Sequence, residues 1–198
     1  MGIVLLTALG VGGATVIGSI IGFVVKSIPR RFSELTLSLA AGIMLSAAIW
    51  GLIVPSMGEG STAEVAVSAL GVLFGGVFIG LCEKAVPHLR FVADGEGGEE
   101  LDSVLLLVAA MALHNLPEGI AAGVSLGAGD LSGAMSVAVG IALQNIPEGM
   151  AVVPPMLMAG ISRRRTFFIS LATGLVEVAG TFLGYHSVTL LSSLLPIT

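Results

Sequence analysis

Six stretches of this chain are long enough to cross a lipid bilayer and carry few charges: 3–25, 33–56, 64–87, 103–127, 131–158 and 165–194. A span needs about 20 predominantly apolar residues. Within lipid the backbone must satisfy its own hydrogen bonds, which leaves helices or a closed barrel, and runs of this length are helical. The expected fold is therefore all-α, a polytopic transmembrane helix bundle forming one domain over 1–198. Composition agrees: 55% of residues are hydrophobic and 11% charged, against about 25% charged in soluble domains, and mean hydropathy is +1.04. The net charge of −5 gives no sign of a nucleic-acid partner. Cys82 is the lone cysteine, so no intrachain disulfide forms. The first 25 residues lack a positive leader and a cleavage site, and are expected to be a retained span rather than a signal peptide.

Basic residues orient the spans. All eight fall after odd-numbered spans: Lys26, Arg30 and Arg31; Lys84 and Arg90; Arg163, Arg164 and Arg165. The turns around Glu59 and Asp130 have none. The positive-inside rule then makes the odd connections cytoplasmic and the N-terminus external, as in a multi-pass protein of a bacterial inner membrane. The connection 88–102, with Asp94, Glu96, Glu99, Glu100 and Asp102 among glycines, is expected to be a flexible cytoplasmic loop. Glycines four apart, Gly18 and Gly22, Gly71 and Gly75, Gly76 and Gly80, suggest closely packed helix faces.

Two spans share a motif. His114-Asn115-Leu116-Pro117-Glu118-Gly119 is answered thirty residues later by Gln144-Asn145-Ile146-Pro147-Glu148-Gly149. Each copy places two polar side chains at i and i+4, on one helix face. The proline between them frees a backbone carbonyl and favours a kink or break, so spans four and five are expected to be broken helices. Ionisable residues inside a span cost roughly 2.5–3.5 kcal/mol on insertion scales, which makes a functional site the default reading.

The fourth and fifth spans turn back on each other near Asp130 and Leu131. In such a hairpin His114 is level with Glu148, and Glu118 with Gln144, as inverted partners about an axis in the membrane plane. At 1.5 Å per residue, His114 to Glu118 lie roughly 17–23 Å from the cytoplasmic end of their span, Glu177 about 18 Å and Met44 about 16 Å from theirs. Three carboxylates at one depth cannot all stay ionised without a counter-charge, and the spans offer no Lys or Arg to supply it. A divalent cation would do so. Imidazole with carboxylates suits zinc, iron, manganese and their relatives better than magnesium or calcium. Taken singly, Glu177 also fits a hydrogen-bonded structural residue, Met44 a core position and His186 a structural role.

These paired motifs closely resemble those of the ZIP (zinc- and iron-regulated transporter-like) metal transporters in their prokaryotic form. Ala40-Ala41-Gly42-Ile43-Met44-Leu45 and Gly174-Leu175-Val176-Glu177 are similar to the family's second and sixth helices. The resemblance implies an inverted-repeat transporter of eight helices, of which this chain supplies six, ending at Leu195-Pro196-Ile197-Thr198 where a seventh would begin. It implies a two-metal site. Met44, His114, Gln144 and Glu148, with Glu118 shared, would hold the first ion, while Asn115, Glu118, Asn145, Glu148 and Glu177 would surround the second. Asn145 stands where some members have aspartate, which weakens the second position. The implied activity is alternating-access transport of Zn²⁺ into the cytoplasm, with Cd²⁺, Fe²⁺, Mn²⁺ and Co²⁺ as related substrates, no catalytic cofactor and no enzymatic step. Helices one, four, five and six would move against a scaffold containing helices two and three. Implied partners are divalent metal ions and membrane lipid, with a homodimer as the protein–protein contact considered. An intramembrane di-metal enzyme and a structural-metal scaffold or sensor are the competing readings.

Overall fold

The computed structural model describes residues 1–24, 30–89 and 99–194. Six long helices follow one another: α1 (Gly2–Val24), α2 (Arg30–Ala48), α3 (Thr62–Leu89), α4 (Glu99–Gly127), α5 (Leu131–Met158) and α6 (Arg163–Leu194). α2 continues through one π-helical turn, Ile49–Ile53, into a last α-helical turn, Val54–Ser56. That wide turn directly precedes Pro55, whose missing N–H and bulky ring disfavour a regular ladder there. Among the described residues there is no strand. Gly2–Val24, Glu34–Ser56, Thr62–Cys82, Leu131–Met158 and Arg163–Leu191 are long and apolar enough to cross a membrane, and the expected fourth span is the 29-residue helix α4.

The ends follow from local chemistry. α4 stops at Gly129, whose φ of +90° an L side chain rarely adopts. Asp130 then caps α5 by accepting the Ser132 N–H at 3.0 Å. Ser61 and Glu64 cap α3 reciprocally, with Ser61 N–H donating to Glu64 Oε2 at 2.9 Å and Glu64 N–H to Ser61 Oγ at 3.3 Å.

Two expectations are corrected here. Neither motif helix is broken: α4 runs on through Pro117, and α5 through Pro147, Pro154 and Pro155. A proline removes one ladder bond, and neighbouring helices packed on both sides hold the rest in line. The loop expected over 88–102 is shorter, since α3 reaches Leu89 and α4 starts at Glu99. Lys26, Arg90, the acidic residues Asp94 and Glu96, and 195–198, where a seventh helix was expected to begin, lie outside the described residues.

The bundle is inside out relative to a soluble protein. Thr7, Thr15, Ser19, Asn115, Gln144, Asn145, Thr173, Glu177 and Thr181 are buried, while Leu6, Leu39, Phe74, Leu143 and Leu183 face outward. An apolar perimeter around a polar interior suits a lipid surround. α1, α4, α5 and α6 form the inner bundle: α4 lies along α6, and α1 along both α5 and α6. α2 flanks α5, where Gly140 faces Ile43 and Ala47. α3 stays peripheral, with none of its span buried, and is tied to α2 by Ser56 Oγ donating to Ser68 Oγ at 2.9 Å.

Backbone-close glycine crossings relate the two inner pairs. Gly119 of α4 sits against the Glu177 carbonyl and the Thr181 N–H of α6, just as Gly149 of α5 sits against the Thr15 carbonyl and the Ser19 N–H of α1. Gly180 and Gly184 meet Leu116 and Ile120, as Gly18 and Gly22 meet Ile146 and Met150. Asn115 donates to the Thr173 carbonyl at 3.2 Å, as Asn145 does to the Val11 carbonyl at 3.1 Å. Gly12 and Gly174 abut each other where α1 crosses α6. A pseudo-two-fold thus exchanges α4 with α5 and α6 with α1, extending the inverted relation expected for the two motifs. It also corrects the glycine reading. Gly18 and Gly22 are contact positions, whereas a Cβ at Gly71, Gly75, Gly76 or Gly80 would meet nothing within 4 Å among the described residues.

Candidate metal centre

Continuous helices deliver the motif side chains to one level. Gln144 Nε2 donates to Glu118 Oε1 at 2.6 Å, which joins the two residues that the hairpin count places level. His114 and Glu148, the other level pair, are near enough to interact electrostatically, as are Glu118, Glu148 and Glu177 with one another. Gln144, Asn145 and Glu177 are fully buried, Asn115 nearly so, and Glu118 and Glu148 are half-buried.

Glu177 is held by donors on two other helices. Asn145 Nδ2 donates to its Oε1 at 2.5 Å, and Thr15 Oγ1 to its Oε2 at 3.3 Å. Asn145 Nδ2 also donates to the Val11 carbonyl. Two acceptors on one side fix that amide's orientation, because turning it over would set oxygen against oxygen. His114 is on the exposed side of α4, and its Nδ1 lies 2.9 Å from the Ala110 carbonyl. A carbonyl can only accept, so Nδ1 carries the proton and Nε2 the lone pair in the neutral ring.

Three buried acceptors on these residues have no donor: Glu118 Oε2, Gln144 Oε1 and Asn145 Oδ1. Each such oxygen costs about 1–3 kcal/mol in an apolar interior, a cost that bound cations would offset. Their chemistry, carboxylate and amide oxygen with an imidazole close by, is that of a divalent-metal site. The arrangement differs from the expected one in its carboxylates. Among the described residues no three His, Cys, Asp or Glu side chains converge on one point; instead Glu118 accepts from the Gln144 amide and Glu177 from the Asn145 amide. Met44 is 36% exposed on α2, one position beyond Ile43, which faces Gly140 of α5.

Sequence reading missed α1. Thr15 and Ser19 sit four apart on its buried face, with Thr15 bonded to Glu177 and Ser19 Oγ to the Thr15 and Gly149 carbonyls at 3.1 and 3.2 Å. The pseudo-two-fold makes Thr15 the counterpart of Glu177. The available signal was this hydroxyl pair at helical spacing beside Gly12, Gly18 and Gly22. His186 is exposed, its ring edge-on to Tyr185, and takes no part in the cluster.

These features define a class: a multi-pass helical membrane protein with a cluster of cation-ligand groups buried among its inner helices. The family model for the ZIP zinc transporter matches residues 92–195. Across 99% of its length the chain is 37% identical to zinc transporter GufA of Myxococcus xanthus, covering 80% of that protein. It is 34% identical to zinc transporter ZupT of Streptococcus mutans, with 91% of this chain and 73% of the relative aligned. Zinc transporter ZIP11 of Xenopus tropicalis is 29% identical over 93% of this chain and 80% of its own. The chain belongs to the ZIP family, whose members are transporters rather than enzymes.

Proposed function

We propose that this protein moves a divalent transition metal, zinc foremost, across the membrane toward the cytoplasm through the cluster between α4 and α5. The observation that carries this reading is the set of donorless buried oxygens, Glu118 Oε2, Gln144 Oε1 and Asn145 Oδ1, in the interior of a lipid-facing bundle. Relatives named as zinc transporters supply the choice of zinc. Basic residues placed after odd-numbered spans supply the orientation, with an external N-terminus.

In this reading His114 Nε2, Glu118, Gln144 Oε1 and Glu148 take the ion, and the Gln144–Glu118 hydrogen bond opens to admit it. Met44 joins them from α2. A second ion beside the first, among Asn115, Glu118, Asn145, Glu148 and Glu177, requires Asn145 to release Glu177 and turn its oxygen inward. Transport proceeds by alternating access. The backbone-close crossings at Gly12, Gly18, Gly119, Gly149 and Gly180 tie α1, α4, α5 and α6 into one body, and the thinly packed α2 and α3 are the surface it moves against. Uptake of ⁶⁵Zn²⁺ into proteoliposomes tests the proposal. Glu148→Ala should abolish saturable flux, and flux equal to that of the unsubstituted protein would overturn it.

A further inference from the structure

At the N-terminus of α6 a groove of about 560 Å³ is lined by Ser162, Arg164, Arg165, Phe168, Ile169 and Ala172. Its two ends differ in chemistry. At the mouth stand two guanidinium groups, and Arg164 lies over the Phe168 ring, 5.8 Å from its centroid. One turn deeper the walls are Phe168, 53% exposed, and Ala172 on the outward side of a helix that is among those long and apolar enough to span the membrane, with half-buried Ile169 at the edge where it packs against Val152 and Met156. Among the described residues no carboxylate pairs with Arg163, Arg164 or Arg165. Thr166, between them and Phe168, points inward and is fully buried, so the groove belongs to the lipid-facing side of the bundle.

We propose that this groove binds an anionic phospholipid, its phosphate held between Arg164 and Arg165 and an acyl chain laid along Phe168, Ile169 and Ala172. The charge match carries the choice of occupant. Arginine forks bind phosphate oxygens in pairs, basic pockets at helix ends on the membrane surface favour anionic headgroups, and the positive end of the α6 dipole adds to the attraction. An apolar channel continuing from the guanidinium pair into the span suits a ligand with both a headgroup and a chain. The Arg164–Phe168 stack holds one guanidinium over the chain's path while its N–H groups face the headgroup. The proposal is independent of metal transport.

Native mass spectrometry of the full chain, purified in detergent with equal phosphatidylglycerol and phosphatidylcholine, tests it. One phosphatidylglycerol per chain should be retained with about tenfold preference, falling to within about twofold in R164Q/R165Q while R163Q keeps the preference. Equal retention of both lipids by the unsubstituted chain would overturn the proposal without reference to any variant. So would a loss in R163Q as large as in R164Q/R165Q, which means diffuse charge rather than a built site. Displacement of the lipid by millimolar inorganic phosphate would also overturn it, since the chain would then contribute nothing. No retained anionic lipid at all has the same consequence.

Discussion

Gly149→Ala offers the sharpest test of the fold, because the added methyl meets backbone rather than a side chain that can swing away. A Cβ at this position overlaps the Thr15 carbonyl oxygen and comes within 3.0 Å of its carbon and 3.1 Å of Ser19 N. Carbon atoms settle at about 3.5–4.0 Å, so α5 and α1 must part by about an ångström. Overpacking of this kind costs about 1–3 kcal/mol. The separation also loosens Ser19 Oγ to the Gly149 carbonyl and Asn145 Nδ2 to the Val11 carbonyl, at about 1 kcal/mol each. Against this stands a gain of about 1 kcal/mol in helix propensity. The net loss is about 2–4 kcal/mol, a shift of roughly 30- to 700-fold in the folded population. Gly119→Ala, which meets the Glu177 carbonyl in the same way, should cost as much, and Gly76→Ala, with nothing within 4 Å, should keep only the propensity gain of about 1 kcal/mol. Reversible unfolding in mixed micelles, followed by far-ultraviolet circular dichroism, measures all three. If Gly149→Ala proves as harmless as Gly76→Ala, the α1–α5 crossing is wrong and the pseudo-two-fold with it.

Other consequences can be read out separately. Asn145→Asp replaces a donor to Glu177 with a second carboxylate, so the metal-free protein should lose about 1–3 kcal/mol and zinc should raise its melting temperature more than that of the unsubstituted chain; equal zinc shifts would speak against a cation position there. Thr15→Val keeps the shape of the side chain but takes the donor from Glu177 Oε2, which should cost about 1 kcal/mol in mixed-micelle unfolding, and an unchanged midpoint would mean that the contact is idle. Because carboxylate and imidazole ligands must shed protons to bind metal, zinc binding in weakly buffered detergent solution should release protons and weaken as pH falls. A proton count of zero by calorimetry in buffers of differing ionisation enthalpy would refute carboxylate ligation.

Sequence alone determined the helices, their approximate ends and the common depth of Glu118, Gln144, Glu148 and Glu177, because apolar run length, charge and rise per residue are properties of a single strand of chain. The duplicated motif likewise gave the inverted pairing of α4 with α5. Its extension to α1 and α6 was hidden, since the equivalent positions hold Thr15 in one helix and Glu177 in the other. Tertiary structure decided which glycines carry contacts, that α4 and α5 stay continuous through their prolines, and that the amides of Gln144 and Asn145 donate to the carboxylates of Glu118 and Glu177. It also brought Thr15 into the cluster. The physical reason is that lipid tails are as apolar as Leu, so apolar character alone drives no helix face onto another helix. Hydropathy therefore marks where a helix lies in the membrane but not which of its faces meets protein, and a hydrogen bond between helices leaves no trace along either one.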